Sequence, residues 1–361
     1  MSFSAIRDQE TPIRLLRTIL RRRRVPNGLM FHGPDGVGKR LTAFAMTQAL
    51  YCEAPDGDGC GECLACRKTA HGNHPDALVI EPRKRARIID VEAIELINET
   101  AALRPIEGSR RVFILVDADR MNPPAQNHFL KTLEEPPGAS LFLLVTSFPR
   151  VLLPTIRSRC QMVRFNNLRA DTVASLLQEQ LTIDAAAAAA VARLSQGEMS
   201  RALDLAQSGR REAVLDVIRR LEEGADPPAV AEEFAKRLEA DRERMEKALK
   251  AEAKEEAGDL SPEARKEEEE RIKAVIDAMS RRDILEYLYI METWYRDVMV
   301  LEATGDASRV LHQDQLDRVG EAARDNAAGK IQAIEEARWL LERFINEQRI
   351  FRQLFFGLAG Q

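Results

Sequence analysis

The segment Gly33-Pro34-Asp35-Gly36-Val37-Gly38-Lys39-Arg40 constrains the fold more than any other part of the chain. It follows a short apolar run, Gly28–Gly33, and opens a helical pattern over Arg40–Leu50. A strand, a glycine-rich turn and a helix in that order set backbone N–H groups around an anion at a helix N-terminus, and the lysine adds a point charge. Gly33, Gly36, Gly38 and Lys39 are therefore the candidate phosphate-binding residues. The position after the lysine, where a serine or threonine hydroxyl would ligate Mg2+, is Arg40. A guanidinium repels that ion and cannot coordinate it. Thr42 lies about 200° further round the helix and substitutes poorly. The sequence thus predicts a phosphate-loop fold that binds ATP weakly or not at all.

A second acidic element points the same way. Arg111–Asp119 reads as a strand ending in an acid. Asp117 stands where a phosphate-loop ATPase holds its metal-bound water. The next position, that of a water-activating glutamate, is Ala118, and Asp119 is expected to point elsewhere. Further strand-length apolar runs, Ala77–Ile80, Val112–Val116 and Leu141–Thr146, alternate with helical stretches at Val91–Leu103 and Ala125–Leu133. That alternation predicts a parallel sheet with helices on both faces and ligands at the strand C-termini.

Four cysteines follow the phosphate-loop helix: Cys52, Cys60, Cys63 and Cys66, interleaved with Gly57, Gly59 and Gly61. Four thiolates in fifteen residues suit a closed tetrahedral Zn2+ site, structural because no coordination position stays open. An iron–sulfur cluster is the rival, and free or disulfide thiols come third. The N-terminus has no apolar signal core and no run of 18 apolar residues occurs, so the expectation is a cytoplasmic protein without a membrane span. Lys+Arg total 53 against 58 Asp+Glu, a net charge of −5, so any contact with a polyanion is local or supplied by partners. One such local cluster, Arg21–Arg24, closes the first helix, where cations suit the helix dipole and could equally meet DNA phosphates or an acidic partner.

Beyond about Asn167 the strand signal fades. A small helical unit spans about 167–208, with Asp171–Leu181, the alanine-rich Asp184–Leu194 and Ser200–Ala206. From 209 to 361 the chain is helical, with apolar 3–4 spacing and both tryptophans in Ile284–Leu301 and Ile331–Phe356. Of the 38 residues from Lys236 to Lys273, 24 are charged and none is aromatic. Their balanced signs predict a solvated helical hairpin broken at Gly258–Pro262.

The loop GPDGVGKR, the cysteine insert after its helix, the run VDADRMN, LKTLEEPP (Leu130–Pro137) and the tripeptide Ser158-Arg159-Cys160 occur in that order. As a set they resemble the δ′ subunits of bacterial DNA polymerase III clamp loaders, within the AAA+ proteins. The resemblance implies an α/β AAA+ domain (1–166, with a zinc-binding insert at 52–66), a helical lid (167–208) and an all-helical C-terminal collar (209–361) enlarged near 236–273. It implies that Arg159 acts as an arginine finger in trans, with Arg157 as a helper. Thr146 falls at the sensor 1 position, Arg201 near sensor 2, and Glu134 and Glu135 beside a subunit contact. The implied partners are γ/τ and δ subunits in a hetero-oligomer, a pentamer, that loads a sliding clamp onto primed DNA. Arg40 and Ala118 depart from the γ/τ pattern and favour a subunit that does not hydrolyse ATP. Two rivals remain: an active γ/τ-type ATPase, and a zinc-stabilised DNA-binding module with a relic phosphate loop.

Overall fold

The computed structural model describes residues 2–54, 58–82, 88–256, 262–322, 326–343 and 345–360. The chain divides into two compact units, Met1–Val173 with Gln196–Arg201, and Ala174–Ser195 with Ala202–Gln361.

The first unit is built on a five-stranded parallel sheet: β1 (Gly28–His32), β2 (Ala77–Ile80), β3 (Arg111–Leu115), β4 (Ser140–Thr146) and β5 (Gln161–Arg164), in the order β2-β3-β4-β1-β5. β3 and β4 are buried along their whole length, as expected of central strands covered by helices on both faces. The covering helices include α1 (Glu10–Arg21), α2 (Lys39–Tyr51), α3 (Leu64–Ala70), α4 (Val91–Ala102), α5 (Pro123–Glu134) and α6 (Pro154–Arg159). Met30, Ile94, Phe113, Phe129, Phe142 and Ile156 are among the residues of one core cluster, with Phe129 edge-on to Phe142 at 5.4 Å. Sequence signals start the helices: Asp90 caps α4, and Asn122 caps α5 ahead of Pro123.

Four strands lie where the apolar runs put them. β5 was not legible, because three of its four residues are exposed and it contributes only Val163 to the interior. The segment 154–159, which reads as a polar turn, is instead the helix α6, started by Pro154 at its first position.

The second unit is helical. After α7 (Ala170–Gln180) come α8 (Ala185–Leu194), α9 (Met199–Gln207), α10 (Arg210–Glu222), α11 (Pro227–Glu256), α12 (Pro262–Thr304), α13 (Leu316–Glu321), α14 (Ala327–Glu342) and α15 (Glu347–Leu358). Phe234 packs against Tyr287, Phe351 and Phe355 at ring distances of 4.9, 4.8 and 5.5 Å. Trp294 is fully buried, whereas Trp339 is 48% exposed under the Arg343 guanidinium. The charged block falls on α11 and α12, and Arg242 within it pairs with Asp277 of α12, just beyond the block's end. Of the expected break at Gly258–Pro262, residues 258–261 lie outside the described residues. No helix among the described residues is long and apolar enough to cross a membrane.

Candidate functional site

β1 delivers the glycine-rich loop at the C-terminal edge of the sheet. Gly33, Gly36 and Gly38 have φ of 146°, 74° and 96°, a region hostile to side chains. At two of them space forbids a Cβ as well. It would meet the Phe165 carbonyl oxygen at 2.4 Å from Gly33, and the Ser200 backbone nitrogen at 2.3 Å from Gly36.

Lys39 is 5% exposed. Its Nζ donates to the Gly33 carbonyl (2.8 Å), to the Pro34 carbonyl and to Ser147 Oγ (3.0 Å). Burial lowers its pKa, against the opposing pull of Asp35, Asp117 and Asp119. A cleft of about 720 Å3 opens beside Gly33–Asp35, bordered by His32, Ser147, Phe148, Arg164 and Asn166. Burial, Arg164 and Lys39 together hold the His32 imidazole below its ordinary range.

Arg40 turns away from the loop and pairs with Glu81, just past β2. The Thr42 hydroxyl is spent on its own helix, donating to the Gly38 carbonyl at 2.8 Å. Asp117 is exposed, in the left-handed region (φ 49°). Partial desolvation, then the charges of Asp119 and Asp35, raise its pKa. Asp119 does not point elsewhere. Its carboxylate accepts from the Thr146 hydroxyl at the end of β4, and Thr146 Oγ1 in turn accepts from the Phe148 N–H at 3.0 Å. Thr146 is thus a strand-end hydrogen bonder that ties two loops at this edge. Ser147 and Asp35, joined at 2.5 Å, complete the lysine's surroundings. Sequence reasoning missed Ser147 and the Phe165 and Ser200 contacts, which join segments more than a hundred residues apart. Arg201 lies in the segment Gln196–Arg201, next to Ser200.

Arg159 stands at the other edge. β1 and β5 are parallel, with Leu29 opposite Gln161, so Arg159 precedes β5 on the level of Gly28. Its carbonyl lies 3.4 Å from where a Gly28 Cβ would be. β1 rises about 13 Å over its four steps, so the loop and Arg159 are separated by the length of the sheet. The exposed Arg159 guanidinium pairs with Glu134 and donates to the Thr155 carbonyl at 3.2 Å. Arg157 is half-buried and its Nε has no hydrogen-bond partner.

The cysteines close the third element. The four Sγ atoms all lie within 4.8 Å of one another, with Cys60 and Cys66 at 3.9 Å. Four Zn–S bonds of about 2.3 Å require sulfurs about 3.8 Å apart, so the donor set fits a tetrahedral ion. Backbone N–H groups point at the sulfurs: Cys60 onto Cys52 (3.3 Å), Cys63 onto Cys60 (3.3 Å) and Cys66 onto Cys63 (3.5 Å). Those donors favour thiolate and bring the Cys60 thiol down to about 6, while burial pushes Cys66 up to about 12. Gly59 and Gly61 take positive φ in the turn, and Gly57 lies outside the described residues. Arg17 on α1 grips the insert through Asp58.

Residues 8–169 match the family model described as "DNA polymerase III, delta subunit". The chain is 42% identical to the DNA polymerase III subunit delta' of Pseudomonas aeruginosa over 136 residues, 36% of this chain and 40% of that protein. It is 33% identical to the delta' subunit of Escherichia coli K12 over 192 residues, 52% of this chain and 56% of that protein. The tau subunit of Bacillus subtilis is 29% identical over 209 residues, 56% of this chain and 37% of that protein. The chain thus spans about half the length of the delta' relatives it matches. A gamma subunit-related protein of Thermotoga maritima overlays 96% of this chain and 98% of its own at 17% identity and a TM-score of 0.37. The resemblance to δ′ subunits carried by the motifs is borne out by these relatives, and the α/β class by the parallel sheet itself.

Proposed function

We propose that this chain works in DNA replication as a δ′-type clamp-loader subunit that does not hydrolyse ATP, and that lends Arg159 to the nucleotide of a neighbouring subunit. The observation that carries this reading is the placement of Arg159. It is exposed at the N-terminal edge of the sheet, a strand's length from the chain's own loop, so it serves no phosphate bound there. Its pairing with the exposed Glu134 is a surface ion pair, worth about 0–1 kcal/mol, which a phosphate displaces readily. A planar guanidinium fixed against a transferring γ-phosphoryl contributes about 10³–10⁵ in rate.

The loop supports the same reading from the other side. Arg40 occupies the metal-ligand position and is committed to Glu81, Thr42 is committed to Gly38, and Lys39 is committed to the loop's own carbonyls. Gly33, Gly36 and Gly38 keep the cradle, with Asp117, Thr146 and Arg201 around it as the residues an ATPase relative would use. In this reading the partners are γ/τ-type and δ-type subunits, the sliding clamp and primed DNA, and the helical second unit is the collar that joins the ring. Cys52, Cys60, Cys63 and Cys66 hold a structural Zn2+.

The test is phosphate release. The purified chain is expected to show no Mg2+-dependent turnover, and Lys39→Ala to change nothing. In the assembled complex Arg159→Ala should leave the subunits associated while depressing ATP-driven clamp loading at least 100-fold. Turnover by the chain alone, abolished by Lys39→Ala, would instead identify an active γ/τ-type ATPase.

A further inference from the structure

The arginine run at the end of α1 sets four exposed cations in consecutive positions. Arg17, Arg40 and Arg159 each hold a carboxylate. Arg21, Arg22, Arg23 and Arg24 are all exposed, and none has an ion-pair partner among the described residues. The helix ends inside the run: Arg22 N–H donates to Thr18, Arg23 to Leu20 and Arg24 back to Ile19. Arg23 takes the left-handed conformation, φ 52°, that this position of a helix stop normally gives to glycine. The helix stop therefore falls within the run, so its four residues do not share one continuous helix. A fifth approaches from across the sheet edge, where Arg110 Nη1 donates to the Val25 carbonyl at 3.3 Å.

We infer that Arg21–Arg24, with Arg110 beside them, form a sequence-independent contact for the phosphate backbone of duplex DNA. Residues 17–27 hold no exposed large apolar side chain, and a protein interface is built around apolar or aromatic anchors at its centre. A purely cationic patch gains instead by releasing counterions from a polyanion, which needs no apolar core. The chain carries −5 overall, so the attraction is confined to this edge, and a ligand of regularly spaced phosphates exploits it better than a single anion. The choice of duplex DNA among polyanions rests on the clamp-loader reading. The contact itself does not involve the glycine-rich loop, because α1 ends at the strand N-termini, just before Gly28; Arg159 lies at that same edge and is not counted in the contact.

The experiment uses the full chain without nucleotide and a fluorescently labelled 30-base-pair duplex, with binding followed by anisotropy from 50 to 200 mM salt. Four phosphate contacts predict a slope of log K on log salt near −3.6, so affinity should fall about 150-fold over that range. The R21Q/R22Q/R23Q/R24Q variant, checked for unchanged thermal unfolding, should lose both the binding and the slope. Absence of binding at 50 mM salt, or an unchanged variant, would overturn the inference. Equal binding to poly-L-glutamate would overturn the choice of nucleic acid in favour of an acidic protein surface. These results stand apart from the phosphate-release and Arg159→Ala assays, which test the clamp-loader reading by itself.

Discussion

Asp76 pins the loop at 106–108, and replacing it with asparagine gives a sharp test of how the first unit is held together. The side chain is fully buried. Its Oδ1 accepts from the Ile106 N–H (2.7 Å), and Oδ2 from Glu107 (2.8 Å) and Gly108 (2.7 Å), with Arg111 Nη1 at 3.8 Å. The loop so pinned presses Gly108 against Tyr51, where a Cβ would meet the ring at 2.6 Å. The Tyr51 hydroxyl donates to the Asp76 carbonyl at 2.7 Å, and its ring stacks on His74 at 3.9 Å. A hydrogen bond to a charged group contributes about 1.5–3 kcal/mol. Asparagine keeps an oxygen for Glu107 and Gly108 but turns its NH2 towards the Ile106 N–H, so one bond is lost. Arg111, nearly buried, also loses its counter-charge. The expected destabilisation is about 3 kcal/mol, which for a unit of this size lowers the melting temperature by about 6–12 °C.

Burial tends to raise the Asp76 pKa, but the three N–H donors and Arg111 outweigh it and hold the carboxyl below its ordinary 3.8. A depressed folded pKa gives stability that is complete above the unfolded value and lost as pH falls through the folded one. The gap between Asp76→Asn and the native chain should therefore be constant from pH 7 to 5 and narrow only below about 4. Thermal unfolding by circular dichroism across that range measures it. A variant within 0.5 kcal/mol of the native chain at pH 7, or a gap already closing at pH 6, would refute this account of the network.

Two further outcomes are expected. Cys60→Ser should lower the zinc content by elemental analysis from one ion per chain and loosen the 52–66 insert to proteolysis while the sheet stays folded; iron in the native protein would point to a cluster instead. His312 is fully buried between Arg211, Asp314 and the Thr293 hydroxyl, beside the Asp297 carboxylate, and burial, then Arg211, bring its pKa down to about 3. The unfolded chain then binds the extra proton below 6.5, so the second unit should lose about 1 kcal/mol between pH 7 and 5.5 by denaturant titration, a loss that His312→Gln should remove.

The parts of this molecule that could be read from the sequence are those written locally. The glycine-rich loop, its missing hydroxyl at Arg40 and the four cysteines are each complete within about fifteen residues. Spacing alone therefore marked them as candidate sites. β3 and β4 were legible because burial on both faces makes them continuous apolar runs. β5 is an edge strand that shows its pattern at a single residue, and its role comes from pairing with a strand 130 residues earlier. The surroundings of Lys39 were hidden for the same reason: Ser147, Phe165 and Ser200 reach the loop only through the fold. Asp119 was misread because an isolated strand end gives no sign of a hydroxyl on the neighbouring strand.

Gly33 and Gly36 are demanded by backbone atoms of Phe165 and Ser200, which press on the turn from outside. The turn is thus clamped from outside by two other segments of its own unit. Such a clamp is indifferent to what the turn binds. Alanine would be excluded at both positions whether or not the chain consumes nucleotide, so the familiar glycine–lysine signature does not by itself report turnover.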